Sequence, residues 1–494
     1  MRRIRTAFLV MLAVFAALCL APASGAEQEK GDLTEAYYLG KCAASGWWDA
    51  EAFERLKAAT EDNDRLALYL LNRMFALQSL SLQPPVIAEI PWASKKKRLT
   101  EEMVAVDAEL DSLDERLLAW ASTVHSGSEA ERYTGALTLG AFSGDELGAD
   151  LLVTLLNDQS AFVRGGTCAC ISKGQANDTA RELAPFLAVR VLTDAFSSKR
   201  ERAAEALGYV VGVDFPSEDP VPAATEWIRD HYDTSVVSVA EGDAPATRSH
   251  IAERESLAEA YYLAECAASG WMDDEAFARL LDSVESERRR AFYLVDRALY
   301  CTGALHHSYL RIAASPAALE ERHRELQEKS QQALAAVREM GPVALYAWAR
   351  YVRSGSEDVR RIAAWELGEL AEDEKAVDLL ILLLNDQSDS VRSSAATRLE
   401  MAYDSAAARG ALPFLAVHML YDPGFRMREA CAQAIGEVAG QDFPDMSKFL
   451  PTQRTVDAAT EWVREHYDLS RLPPPPWEED QEQAADPETE THNQ

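Results

Sequence analysis

At 494 residues the chain has room for about three ordinary domains, and with 48% hydrophobic residues its bulk is globular rather than disordered. The 81 acidic residues against 49 basic ones, a formal charge of −32, argue against nucleic-acid binding, which needs a basic face, and against docking onto anionic lipid. Seven cysteines are too few for a disulfide-built scaffold.

In chain order, Arg2, Arg3 and Arg5 precede 15 uninterrupted apolar residues, Ala7 to Ala21. Pro22 and Ser24-Gly25-Ala26 follow, with small residues where a signal peptidase wants them. The segment reads as a signal peptide over residues 1–26, because 15 residues fall short of the ~18–20 that span a bilayer. Cys19 follows Leu18, which does not suit a lipoprotein site. The expectation is an exported protein, periplasmic or extracellular, with no stable membrane insertion after cleavage.

Beyond this segment the chain is written twice. Residues 35–56 and 259–280 share 17 of 22 positions, and 155–164 and 383–392 share eight of ten. Pro185-Phe186-Leu187-Ala188-Val189 recurs from Pro413 to Val417, and AATEWIRDHYD (223–233) returns as AATEWVREHYD (458–468). The copies are therefore placed at 27–233 and 256–468. Residues 234–255 form a polar linker, and 469–494 a Pro-rich acidic disordered tail. Each copy is expected to fold by itself, as residues 27–240 and 250–470.

A shorter period runs inside each copy. Ser126, Asp158 and Asp194 are followed six residues later by Arg132, Arg164 and Arg200; Ser354, Asp386 and Asp422 are followed by Arg360, Arg392 and Arg428. Apolar residues around them recur at helical spacing. Each unit reads as two helices around a turn whose Asp or Ser caps the second helix. One such hairpin cannot bury its apolar face, so units must stack.

LLNDQSDSVRSSAATRL (383–399), SGSEDVRRIAAWELGELA (354–371) and DPGFRMREACAQAIGEVAG (422–440) resemble HEAT repeats of the short, bacterial, phycobilisome-lyase-like type. The resemblance covers about 115–212 and 343–440. It implies an all-α fold, an α-solenoid of HEAT-like helical hairpins in two tandem copies, each with helical caps. It also implies a ladder along the solenoid of Asp158, Asp194, Asp386 and Asp422 with Arg164, Arg200, Arg360, Arg392 and Arg428. Arg392 should then matter more to stability than Arg353, read as exposed. The middle units depart from the pattern, with Ser172 and Glu400 where the others carry Gly.

Before the repeats, helices are expected over Leu33–Ser45 and Ala50–Ala59, broken at Gly46, and over Asp64–Leu80. With the Gly-x-Asp-Phe-Pro elements and the short helices carrying Trp227 and Trp462, they read as caps over the ends of each stack. Trp47 and Trp271 read as core plugs rather than the floor of a sugar site. His231 and His466 suit helix C-termini better than acid–base chemistry. Cys301, His306 and His307 lack a further ligand for a metal, and Cys42, Cys168, Cys170, Cys266 and Cys431 read as buried apolar groups. Lys95 to Arg98 read as a solvated helix start.

No catalytic motif, metal site or cofactor site emerges. The leading expectation is a non-enzymatic protein–protein interaction scaffold whose partner is a protein or peptide, a basic one by charge. The alternative is an envelope-polymer hydrolase with acidic residues in a groove between the copies.

Overall fold

The computed structural model describes residues 30–82, 92–113, 116–174, 177–237, 254–303, 316–446 and 452–475. Residues 1–26, read as a signal peptide and holding Cys19, lie outside them, as do His306, His307, most of the stretch read as a linker and residues 476–494 of the expected tail. The described residues are predominantly helical. Four two-residue strands, which the sequence does not announce, add to the helices.

Each half opens with four helices. In the first these are Thr34–Ala44, Ala50–Ala59, Asn63–Leu82 and Trp92–Asp111, with Lys96 to Arg98 exposed on the last. In the second they are Ala258–Ala268, Asp274–Ser283, Glu287–Cys301 and Pro316–Glu339. The first two helices are separated by a tight left-handed turn in which Gly46 and Trp47, or Gly270 and Trp271, both have φ between 60° and 65°. A tryptophan in that conformation is strained, and each is held by two bonds. Its amide donates to the carbonyl of Cys42 or Cys266, and its carbonyl accepts from Arg73 or Arg297. Asp49 and Asp273 then cap the second helix.

Three helical hairpins follow in each half: Leu117–Ala121 with Glu129–Leu139, Glu146–Leu156 with Ala161–Ile171, and Ala184–Thr193 with Ser197–Val211. The second half places Leu345–Ala349 with Glu357–Gly368, Glu374–Leu384 with Asp389–Met401, and Leu412–Tyr421 with Phe425–Ala439. Second helices pack on second helices along the row, burying a shared apolar core. Left-handed Gly212 and Gly440 end the last helix of each stack. Pro220–His231 and Gln453–His466 then close over it.

The third opening helix of each half packs on its own first hairpin, Asn63–Leu82 on Leu117–Ala121 and Glu287–Cys301 on Leu345–Ala349, but the opening helices also reach the other half. Thr34–Ala44 lies on Leu412–Tyr421, where Tyr37 meets Tyr421 edge-on at 5.2 Å, and Ala258–Ala268 lies on Ala184–Thr193. Asn63–Leu82 packs against Glu374–Leu384, and Leu117–Ala121 against Leu345–Ala349. Parallel strand pairs seal both ends, Gly31–Asp32 with Tyr467–Asp468 and Tyr232–Asp233 with Glu255–Ser256. The halves are thus interlocked, and separate folding of 27–240 and 250–470 is not what this arrangement supports. Glu255, counted with the linker in the sequence, belongs to a strand.

Charge crosses the same contacts. Arg65 lies 3.0 Å from both Glu35 and Asp378, while Asp150 receives Arg288 at 2.9 Å and Arg289 at 3.0 Å. Burial pushes the Asp378 carboxyl up to about 7; Arg65, divided between two carboxylates, offsets this only in part, and Asp62 and Asp64 add to it. A carboxyl whose folded pKa is raised binds more protons folded than unfolded between roughly pH 4 and 7, so its contribution to stability falls as pH rises through that window. Melting temperature followed from pH 4.5 to 8 should therefore decline less steeply in Asp378→Asn than in the parent. Identical slopes would show that the group does not titrate in this range.

Candidate functional site

Five of the six repeat turns, all but that of Asp422, line the site. In each, the Asp or Ser side chain accepts from the amide two residues on, such as Ser160 (2.7 Å from Asp158) and Ser388 (2.8 Å from Asp386). The helix cap is the later residue: Ser128, Ser160 and Ser356 cap their own helices. The sequence reading placed the cap two residues too early, because these Asp side chains are committed to the amide and to an arginine.

The arginine six residues on donates back to its own turn carbonyl, at 2.9 Å for Arg164–Asp158, 2.7 Å for Arg360–Ser354, 3.0 Å for Arg392–Asp386 and 2.9 Å for Arg428–Asp422. It also reaches the next turn's carboxylate: Arg164 to Asp194 at 2.8 Å, Arg360 to Asp386 at 2.7 Å and Arg392 to Asp422 at 3.2 Å. Arg132 makes the same pair with Asp158 at 2.7 Å. The ladder expected from the sequence does not include Arg132, although the Ser126-to-Arg132 spacing carries the same signal. Arg200 and Arg428 follow the last turns, with no further Asp ahead, and the Arg200 Nε is buried without a hydrogen-bond partner.

Loss of a charge-assisted rung should cost ~1–3 kcal/mol. Arg353 is an unsuitable reference for that loss. Far from being exposed, it crosses between the halves to Asn72 and to Glu131 (3.0 Å) and lies over Phe75. Arg392→Ala should melt well below Arg361→Ala, whose side chain is 46% exposed; equal denaturation midpoints would contradict a stabilising ladder.

The first-half turns border a cavity of about 700 Å³ shared with the second half. Ser126, Asp158, Asp194 and Arg190 line one side; Ala264, Ala267, Trp271 and Tyr300 line the other. A smaller cavity of about 400 Å³ lies among Asp386, Asn385, Trp47, Ala43 and Asn72. Gly127 and Gly355 stand between the two and line both. Trp271 is buried and Trp47 half-buried, so these residues plug the core and wall a cavity at once.

At the floor of the larger cavity, Asp296 accepts from Arg350 at 2.6 Å and from the Tyr351 hydroxyl, with His125 Nε2 at 3.5 Å. His125 stacks on Tyr351 with ring centroids 4.4 Å apart. Burial works against the Asp296 charge, but Arg350, His125 and the Tyr351 hydroxyl together outweigh it and hold the carboxyl below its ordinary range. Burial, then Arg350, push the His125 imidazole down. At Asp194 burial is likewise outweighed, by Arg164, the Phe196 amide and Arg190 together, and its carboxyl is also held low.

Elsewhere, His231 and His466 sit at helix C-termini, each with Nδ1 on the carbonyl four residues back, at 2.8 and 2.7 Å. Cys42, Cys168, Cys170, Cys266, Cys301 and Cys431 are buried and free; burial pushes the thiols of Cys42, Cys168 and Cys266 up to about 12. Among the described residues no group of three or more His, Cys, Asp or Glu is placed to hold a metal, and no helix is long and apolar enough to cross a membrane.

Stacked hairpins around a shared core define a helical-repeat protein. Residues 343–436 match the family model for HEAT repeats. No match is found among curated proteins. Among solved structures the chain is similar to human deoxyhypusine hydroxylase in complex with glycerol, at 16% identity over 76% of this chain and 99% of that one. The TM-score of 0.22 is too low for that likeness to bear on fold or activity.

Proposed function

We propose that the protein is an exported, non-enzymatic interaction scaffold built from two tandem, capped copies of one HEAT-like unit, related to the short bacterial type. Its partner is a protein or peptide with basic character. The observation that carries this reading is the state of the carboxylates in the cavities between the halves. Asp158, Asp194, Asp296 and Asp386 are each ion-paired with an arginine, and Asp194 and Asp296 are held ionised. A glycoside hydrolase needs one carboxyl kept protonated as its acid, which these arginines oppose. The high thiol pKa values of Cys42, Cys168 and Cys266 likewise disfavour a cysteine nucleophile.

Export rests on the basic start and apolar run of residues 1–26, and partner charge on the overall excess of acid. Such a field speeds encounter with a basic partner and is screened over ~8–10 Å at ~0.1–0.15 M salt. The test is crosslinking of the processed protein in its native envelope, then binding kinetics with the captured partner at several salt concentrations. An on-rate that falls as salt rises is expected, and a smaller on-rate after deletion of Glu478 to Gln494. An on-rate indifferent to salt would remove the electrostatic basis. Turnover of an envelope polymer would overturn the non-enzymatic reading.

A further inference from the structure

The larger cavity is one negative charge short. Three guanidinium groups, Arg132, Arg164 and Arg190, stand along its repeat-turn edge with two carboxylates, Asp158 and Asp194. Arg132 takes both Asp158 oxygens, at 2.7 and 3.4 Å, and Arg164 takes both Asp194 oxygens, at 2.8 and 3.2 Å. Asp296, across the cavity, belongs to Arg350. Arg190 is left with the Asn157 side-chain oxygen and no carboxylate within 4 Å among the described residues. Burial, with Arg164 adding to it, pulls its guanidinium down to about 10. Arg190 is half-buried with one neutral hydrogen-bond partner, and a guanidinium carries five N–H donors, so it keeps capacity for an anion.

The other half solves the same position differently. The stretch PFLAVRVLTD (185–194) reads PFLAVHMLYD at 413–422, so His418 stands where Arg190 does. His418 lies 3.2 Å from Asn385 and 3.7 Å from Asp422, a set closed within the protein. The smaller cavity accordingly carries no equivalent of the free guanidinium. The arginine is thus a feature of one cavity, and that cavity is the roomier of the two.

Apart from Asp296, the opening helices of the second half line the cavity mainly with apolar and aromatic groups. Leu263, Ala264 and Ala267 come from the opening helix of the second half, and Trp271 and Tyr300 lie 6.5 Å apart by ring centroid. An excess of a single positive charge matches a monoanion better than a phosphate dianion, which the acidic body would also repel.

We propose that this cavity is a binding site for a carboxylate joined to an apolar or aromatic group, Arg190 taking the carboxylate and Trp271 with Tyr300 the group beside it. The inference rests on the scaffold reading in one respect: the source it assigns to the carboxylate is the C-terminal residue of a partner polypeptide. Arg offers a planar pair of N–H donors to a carboxylate, which Lys does not, and an apolar wall beside a fixed cation distinguishes a terminal residue from an acidic side chain mid-chain.

The test is isothermal titration of the full processed chain with three probes: an octapeptide ending in Phe with a free carboxylate, the same peptide amidated, and N-acetylphenylalanine. The free-acid peptide should bind, with amidation weakening it ~10-fold or more, the scale of a lost charged hydrogen bond. Arg190→His, whose side chain the fold already accepts at His418, should keep the parent melting temperature and lose the same factor; Arg190→Lys should recover part of it. N-acetylphenylalanine binding as tightly as the peptide, and dependent on Arg190, would uphold the site and move its source to a free small acid, against the polypeptide reading. Equal binding of the acid and amide peptides, or affinity unchanged in a folded Arg190→His, would overturn the site. So would failure of all three probes to bind, while the scaffold reading would still stand or fall by its own crosslinking experiment.

Discussion

Arg350→Met should lower stability by ~3–5 kcal/mol at pH 8, the range for removing one member of a buried ion pair. Arg350 has no exposed surface. It donates to Asp296 at 2.6 Å and to the Phe292 carbonyl and the Thr154 hydroxyl at 3.1 Å each, and its guanidinium lies 4.1 Å from the Phe292 ring centre. Methionine keeps much of the volume and none of the charge, so the loss falls on Asp296, a carboxylate that would stay buried with only Tyr351 and a neutral His125. The variant's deficit should shrink as pH falls, because Asp296 freed from Arg350 rises in pKa, and a raised carboxyl favours the folded state at low pH. Asp296→Asn added to Arg350→Met should recover much of the loss. A urea titration of parent, single and double variants measures this; a deficit under 1 kcal/mol, or one independent of pH, would contradict the assigned role.

Gly127→Val should cost at least ~3 kcal/mol, the upper end for overpacking, because its obstacle is backbone rather than a side chain that can turn away. The two Ser-Gly-Ser turns of the chain meet here. The Gly127 amide donates to the Arg353 carbonyl at 3.3 Å, and a Cβ on Gly127 would fall 2.6 Å from the Gly355 Cα. Adding a side chain must part the halves at the point where both cavities meet. Gly355→Ala, whose Cβ would meet Gly127 Cα at 3.1 Å, should be milder. Thermal melts of the two variants check the order, and a Gly127→Val protein as stable as the parent would mean that the turns do not touch.

The sequence exposes what is local and repeated. The helix pattern, the six-residue Asp-to-Arg interval and the matching stretches were legible because periodicity and identity recur at fixed spacing, and the hydrogen bonds of Arg164, Arg360 and Arg392 follow from that interval. Which surface each opening helix covers was not legible. Thr34–Ala44 is apolar on one face whether it packs on its own half or the other, and pairs such as Arg65 with Asp378 are 313 residues apart. Arg353 looked like a surface arginine because nothing nearby in sequence announces Asn72 or Glu131. Arg190 is inconspicuous in the sequence for a related reason. Its departure from His418 is a single substitution inside a matching stretch, and it matters only once Asp194 is seen to be fully taken by Arg164.

The interlocking of the halves underlies the cavities, the buried Asp296 cluster and the Arg190 site alike. It is tested most directly by expressing residues 27–237 and 254–494 separately and together, then examining them by size exclusion and native mass spectrometry. Alone, each half exposes the surface its partner's opening helix covers and leaves Asp378 or Asp150 without its arginine. Each should therefore aggregate or melt without cooperativity, while coexpression yields a one-to-one complex with a single sharp transition. A cooperative, monomeric melt from either half alone would contradict the account.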